Sequence, residues 1–129
     1  MARCEQGYLC DVCGQDVEGL AESALYLRYV LGDVPPEQLL KSRERHLGCE
    51  PSLAQFIVDP LFPPISCDGA FAKSQLDPEF VKDEEARVTR GWRRLQDVVK
   101  LGLAVPEYPL EEIRARWLRE GTRATTPGN

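Results

Sequence analysis

The sequence predicts an α+β fold, in which a small N-terminal unit of mixed structure is followed by C-terminal helices. Residues 23–31 are rich in aromatic and branched side chains and end at Gly32, a pattern typical of a strand that leads into a turn. Residues 77–101 carry start and stop signals for a helix, and residues 107–120 have apolar side chains at helical spacing.

Two short helices are predicted in the front half, after the strand over 23–31. The first begins at Pro36, where a proline and an acid precede good helix formers. The second covers residues 51–58, because apolar residues recur at i, i+3 and i+4 from Leu53.

The long helix over 77–101 has the clearest boundaries. Asp77 is suited to cap the first amides, Pro78 fits the first helical position, and Gly102 fits a C-terminal cap. One face is apolar and is expected to pack in the core: Val81, Val88, Trp92, Leu95 and Val99.

The 129 residues are the length of one ordinary domain. We expect an α+β unit over 1–58, a proline-rich connector over 59–76, a helical segment over 77–121 packed on the first unit, and a frayed tail over 122–129. Together these segments are expected to form one compact domain.

The chain contains five cysteines and one histidine. The single histidine excludes sites that need two imidazoles. An odd number of cysteines without a recognisable secretory signal indicates reduced thiols and a cytoplasmic location. No stretch approaches the roughly 18–20 apolar residues that cross a bilayer, so a membrane partner is not expected.

Four metal-ligand side chains occur as two pairs with the same internal spacing. The first pair is Cys10-x-x-Cys13, followed by Gly14, and the second is His46-x-x-Cys49. Two ligands separated by two residues in a tight turn can both reach one ion, and a second such pair completes a tetrahedron. The sequence therefore predicts a zinc site built from these four residues.

The predicted site is structural, because four ligands are available and no second histidine is present to act as a base. Three thiolates and a neutral imidazole would give Zn²⁺ one net negative charge, which Arg43 or Arg45 could offset. Cys4 and Cys67 are spare thiols that could replace His46. No catalytic residue or organic cofactor is predicted, and enzymatic activity is not favoured.

The order of a Cys-x-x-Cys-Gly turn, a strand and a ligand pair before a helix resembles treble-clef and zinc-ribbon-like domains over residues 8–58. The runs 9–14, 44–49 and 53–57 also resemble a small bacterial protein family. Both resemblances imply the same four ligands and no particular reaction. The gap of 32 residues between the pairs contains two adjacent prolines, so the expected hairpin would be irregular.

A protein-interaction or regulatory module, with protein as partner, is the favoured function. A nucleic-acid-binding alternative comes from the charge distribution: residues 1–86 carry a net −9, whereas residues 87–129 carry a net +4. The candidate polyanion contacts are Arg87, Arg90, Arg93 and Arg94. A solvated helix face is the simpler interpretation of these arginines.

The cysteine pair also allows a thiol redox function. In that alternative, Cys10 and Cys13 would exchange electrons as a dithiol, which requires a following helix to lower the pKa of the first thiol. Gly14 and the strand predicted after it argue against this arrangement. A further alternative is that these cysteines are small buried hydrophobes and that His46 is a surface imidazole.

Overall fold

The computed structural model describes residues 9–17, 19–39 and 41–125, and residues 121–125 by their backbone alone. Five α-helices follow one another in this part of the chain: α1 (Ala24–Leu31), α2 (Pro36–Leu39), α3 (Pro51–Ala54), α4 (Pro78–Leu101) and α5 (Glu111–Thr125). Short 3₁₀ turns cover Leu20–Glu22, Leu47–Cys49, Lys73–Gln75 and Val105–Glu107.

The predicted α+β class is wrong, because the described residues are largely helical and form no sheet. Their only extended pairings are three isolated antiparallel bridges, Leu9 with Asp16, Ser23 with His46, and Asp59 with Phe62. The hairpin expected between the two ligand pairs is replaced by α1 and α2. The treble-clef-like architecture is therefore not the fold of this chain.

The segment predicted as a strand is helix α1. The Ser23 hydroxyl accepts a hydrogen bond from the Tyr26 amide at 3.0 Å and caps the helix, and Gly32 ends it with a φ of 87°. Every side chain of α1 except Arg28 is buried. A helix buried on nearly all sides shows neither helical nor strand periodicity, so its aromatic and branched residues were misleading.

Helix α4 confirms the predicted boundaries. The Asp77 carboxylate accepts from the Phe80 amide at 3.1 Å, and Gly102 ends the helix in the left-handed conformation with a φ of 62°. The predicted apolar face is correct for Val88, Trp92 and Leu95, which are buried, but Val99 is half exposed. The neighbouring residue Val98 is buried instead.

Helices α3 and α5 differ from their predicted bounds, and the predicted connector is irregular. Helix α3 stops at Ala54, although Phe56 and Ile57 after it are buried. Helix α5 begins four residues later than expected and continues past Gly121 to Thr125, so only residues 126–129 of the predicted tail lie outside the described part. The connector over 59–76 is irregular apart from one 3₁₀ turn.

The core is formed mainly where α1 and α4 pack together. Leu27 on α1 and Val88 and Leu95 on α4 are fully buried. The close approach depends on Gly91, since a Cβ atom there would lie 2.4 Å from Leu31 Cδ2. One buried cluster includes residues from α1, the segment around α3, α4 and α5, and it positions the loops that carry the ligand pairs.

Candidate metal centre

The structure brings together the four side chains that the sequence predicted as metal ligands. One ligand atom from each of Cys10, Cys13, His46 and Cys49 lies within 4.8 Å of the other three. We call these four residues the Cys₃His cluster. Cys10 is buried, His46 and Cys49 are half-buried, and Cys13 is exposed, so the cluster lies at the surface with one side closed by protein.

The first ligand pair lies on a tight loop between Leu9 and Asp16, which form an antiparallel bridge. The Gly14 amide donates to the Cys10 carbonyl at 2.9 Å, and Gly14 has a φ of 77°, which an L side chain rarely adopts. The glycine therefore allows the turn that brings both cysteines to the same side. The Val12 amide donates to Cys10 Sγ at 3.4 Å, as expected for a sulfur that carries negative charge.

The second ligand pair lies on the 3₁₀ turn before α3. The Cys49 amide donates to the His46 carbonyl at 3.0 Å, which folds the pair into one turn. The backbone of His46 bridges to Ser23, and the amide of Ala24 donates to the carbonyl of Arg45 at 2.8 Å. The start of the buried helix α1 therefore holds this pair in place.

The hydrogen bonding of His46 assigns its two ring nitrogens. Nε2 lies 2.7 Å from the carbonyl oxygen of Asp16, and because a carbonyl can only accept, Nε2 carries the hydrogen. In the neutral ring, Nδ1 then has a free lone pair. Nδ1 lies 3.4 Å from Cys13 Sγ and 3.9 Å from Cys49 Sγ, so this lone pair is directed at the sulfurs.

These distances are close to those around a tetrahedral zinc ion. With Zn–S near 2.3 Å and Zn–N near 2.0 Å, a nitrogen and a sulfur ligand in a regular tetrahedron lie about 3.5 Å apart, and two sulfur ligands lie about 3.8 Å apart. The distance from His46 Nδ1 to Cys13 Sγ agrees with this nitrogen–sulfur value to about 0.1 Å, and the distance to Cys49 Sγ is about 0.4 Å longer. The cluster could therefore hold a metal ion of zinc's size and preference for sulfur and nitrogen.

The surroundings of Cys10 and Cys49 shift the pKa values of their thiols in opposite directions. Burial would raise the pKa of Cys10, but backbone amides of Cys13, His46 and Val12 outweigh it and lower that pKa to about 6. Burial and the neighbouring thiols of Cys10 and Cys13 raise the pKa of Cys49 to about 11. Three thiolates this close repel one another unless a cation lies between them.

Arg45 links the two ligand pairs through Asp11 and Glu50, which were not predicted as part of the site. Its Nε and Nη2 donate to the two carboxylate oxygens of Asp11 at 2.7 and 2.9 Å, and its Nη1 donates to Glu50 at 3.3 Å. Asp11 follows the first ligand and Glu50 follows the last. Glu50 also pairs with Arg28 on α1. Oppositely charged residues next to ligands were the sequence signal for this network.

Of the two spare cysteines, Cys67 is not part of the cluster. Cys67 lies in the connector, and its thiol contacts the carbonyl of Asp68 at 3.6 Å. Cys4 lies outside the described residues. Of the two arginines proposed to offset the charge of the site, Arg45 has the contacts given above, and Arg43 is exposed with no ion pair among the described residues.

The arginines proposed for polyanion binding all have partners within the chain. Arg87 pairs with Glu84 and Asp33, Arg90 pairs with Glu112, and Arg93 pairs with Asp59 at 2.7 Å. Arg94 donates to the carbonyls of Glu107 and Tyr108. Polyanion binding stays a prediction, and a phosphate would have to compete with these contacts.

Comparison of the chain with protein-family models, with curated proteins and with solved structures found no match. Among the described residues, no helix is long and apolar enough to cross a membrane.

Proposed function

We propose that Cys10, Cys13, His46 and Cys49 hold one Zn²⁺ ion as a structural site, and that the stabilised protein acts as an interaction or regulatory module. The observation that carries the proposal is the convergence of four ligand atoms within 4.8 Å, from two loops separated by 32 residues. The resemblance in ligand spacing to treble-clef and zinc-ribbon-like sites supports the same metal, without their fold.

A structural role fits the composition of the cluster. Four protein ligands would fill a tetrahedral ion and leave no position for a water molecule, which a catalytic zinc needs. The ion would join the loop over 9–16 to the 3₁₀ turn before α3. Each of these segments is too short to bury a core of its own, so a metal crosslink would stabilise both.

The metal content of the purified full-length chain tests the proposal. Protein produced without added zinc is expected to contain about one equivalent of metal, and Cys13→Ser is expected to lower that value and the midpoint of thermal unfolding. Cys67→Ser is the matched control, because it removes a cysteine outside the cluster. A folded wild-type chain with almost no metal and no response to a chelator would overturn the proposal.

The thiol redox alternative uses two of the same residues and is distinguished in the same samples. A redox dithiol loses two protons and two electrons as Cys10 and Cys13 form a disulfide, and an oxidant such as glutathione disulfide accepts them. If the pair is a zinc ligand, the metal-bound protein is expected to resist this oxidation until a chelator is added. Rapid, reversible oxidation with metal in place would favour the redox function.

The interaction role is proposed from the surface. Several large apolar side chains are strongly exposed on the connector and on the C-terminal helices: Leu61, Phe71, Leu101 and Leu118. Scattered exposed apolar residues are common, and we assign these four, each with more than 65% of its area exposed, as candidates for contact with a protein partner. The cytoplasmic location predicted from the reduced cysteines belongs to the same proposal.

A further inference from the structure

A second candidate site lies away from the Cys₃His cluster, in a groove between α1, α2 and α5. The groove has a volume of about 640 Å³, within the range of pockets that bind small molecules. Its wall is mostly apolar and includes Tyr26, Tyr29, Leu39, Arg114, Trp117 and Leu118. None of the cluster residues lines it.

The aromatic wall of the groove is held in a fixed arrangement. The rings of Tyr29 and Trp117 lie 5.6 Å apart with an angle of 33° between their planes. The Tyr29 hydroxyl donates to the carbonyl of Val105 at 2.9 Å, and the ring of Tyr108 packs against the same tyrosine. An aromatic surface that is already positioned loses little conformational freedom when an apolar ligand binds.

Arg114 places one positive charge on this apolar wall. Its Nε donates to the carbonyl of Pro109 at 3.0 Å, which fixes the direction of the guanidinium. Among the described residues, its terminal nitrogens have no hydrogen-bond partner and no carboxylate within ion-pair distance. The arginines of α4 noted above have such partners, so Arg114 differs from them in lining a ligand-sized space without an ion pair.

We propose that the groove binds a hydrophobic monocarboxylate. Its apolar body would lie against Trp117 and Leu118, with the buried Tyr29 supporting the Trp117 ring, and its carboxylate would accept hydrogen bonds from the terminal nitrogens of Arg114. A guanidinium recognises a carboxylate with two parallel hydrogen bonds, which a single hydroxyl or an ammonium group cannot reproduce. Charge complementarity therefore selects an anionic amphiphile.

Titration calorimetry of the full-length chain with decanoate, 1-decanol and decylammonium tests this site. Decanoate is expected to bind about tenfold more tightly than decanol. A hydrogen bond to a charged group contributes at least roughly 1.4 kcal/mol, which corresponds to a tenfold difference in affinity. Decylammonium is expected to bind more weakly than either. Absence of decanoate binding at millimolar concentration, or equal affinity for decanoate and decanol, would overturn the proposal.

Variants assign the selectivity to Arg114. Arg114→Met is expected to lower decanoate affinity about tenfold and to leave decanol affinity unchanged. Arg119→Met is the matched control on the same helix, because its exposed side chain does not line the groove. Equal losses in the two variants would reject the assignment.

A second variant covers the case in which Arg114→Met does not fold. Leu118 is 72% exposed at the rim, so Leu118→Glu is expected to keep the fold while placing a like charge beside the carboxylate. This variant should lower the affinity for decanoate more than the affinity for decanol. An unchanged ratio of the two affinities in folded Leu118→Glu would also contradict the proposal.

Discussion

The α1–α4 interface and the Cys₃His cluster are stabilised by different forces. At the interface, Leu27 and Leu95 are fully buried, and the two helices approach closely at Gly91. The cluster is formed by loops with an exposed ligand, and hydrogen bonds and ion pairs connect them. Apolar packing therefore holds the helices, whereas polar contacts and the proposed metal hold the loops.

The largest effect is expected from a cavity in the core. Leu27→Ala removes three carbon atoms from a fully buried site on α1 and should lower the free energy of unfolding by about 2–5 kcal/mol. Urea denaturation measures this loss. Metal content and chelator resistance of the folded variant should match the wild type, and a parallel loss of metal would show that the two regions are not independent.

A smaller effect is expected where α1 and α4 approach closely. Gly91→Ala introduces a Cβ atom 2.4 Å from Leu31 Cδ2, and overpacking exceeds the gain in helix propensity. We expect a net destabilisation of about 1–2 kcal/mol in urea denaturation. The control Val99→Ala, at a half-exposed position of the same helix, should change stability by about 0.5 kcal/mol or less. A Gly91→Ala variant as stable as the wild type would show that the Leu31 side chain or α1 itself shifts without cost to make room for the methyl group.

The loops that carry the Cys₃His cluster are tested by removing the positive charge of Arg45, which connects them. Arg45→Met breaks the contacts with Asp11 and Glu50 and should weaken metal retention about tenfold to hundredfold, as is typical when partners of ligand-bearing segments are lost. Competition with a chromogenic chelator measures the change. Arg43→Met removes the same charge two residues away without an ion pair and should have little effect. Similar losses in both variants would indicate that metal retention depends on the total charge near the cluster, and not on the contacts of Arg45 with Asp11 and Glu50.

The smallest effect concerns one surface ion pair and its dependence on pH. The amide of Leu61 and then the guanidinium of Arg93 lower the pKa of Asp59 below its ordinary 3.8. The folded state therefore favours the ionised carboxylate, and this contribution is present above pH 3.8 and lost as the pH falls through the lowered pKa.

Asp59→Asn tests that pH dependence by removing the ionisable group. The variant should be slightly less stable than the wild type at neutral pH, and the difference should shrink well below pH 3.8. Urea denaturation of the variant and the wild type, at neutral pH and well below pH 3.8, measures the difference in stability. A difference that grows in acid would mean that the pKa of Asp59 is shifted in the opposite direction.

Sequence patterns predicted those features whose causes are local. The four cluster residues follow from ligand types at i, i+3 spacing beside Gly14, because a tight turn fixes where both side chains point. The bounds of α4 follow from Asp77 and Gly102, because caps act on neighbouring amides and carbonyls. Within each pair of cluster residues, and at each end of α4, the interacting groups are within a few residues of one another, whereas the meeting of the two pairs depends on the tertiary structure.

Features that depend on distant contacts were not predicted correctly. Residues 24–31 form a helix because other helices cover them on nearly all sides, which removes the periodicity that a sequence pattern needs. The wrong α+β class follows from that one segment. Val98, and not Val99, enters the core because contacts with the rest of the chain decide which face of α4 is buried.

The amino-acid sequence by itself therefore determined the two pairs of Cys₃His cluster residues, the longest helix and its caps, since the spacing within each pair and the caps depend on covalent spacing and hydrogen bonds between near neighbours. Only the tertiary structure decided that α1 is a helix, that Arg45 joins the two ligand loops, and that Arg114 faces an aromatic groove. These arrangements bring together residues separated by 34 and 85 positions, such as Asp11 with Arg45 and Tyr29 with Arg114. Pairings over such distances are selected by how the buried helices pack, which no local pattern specifies.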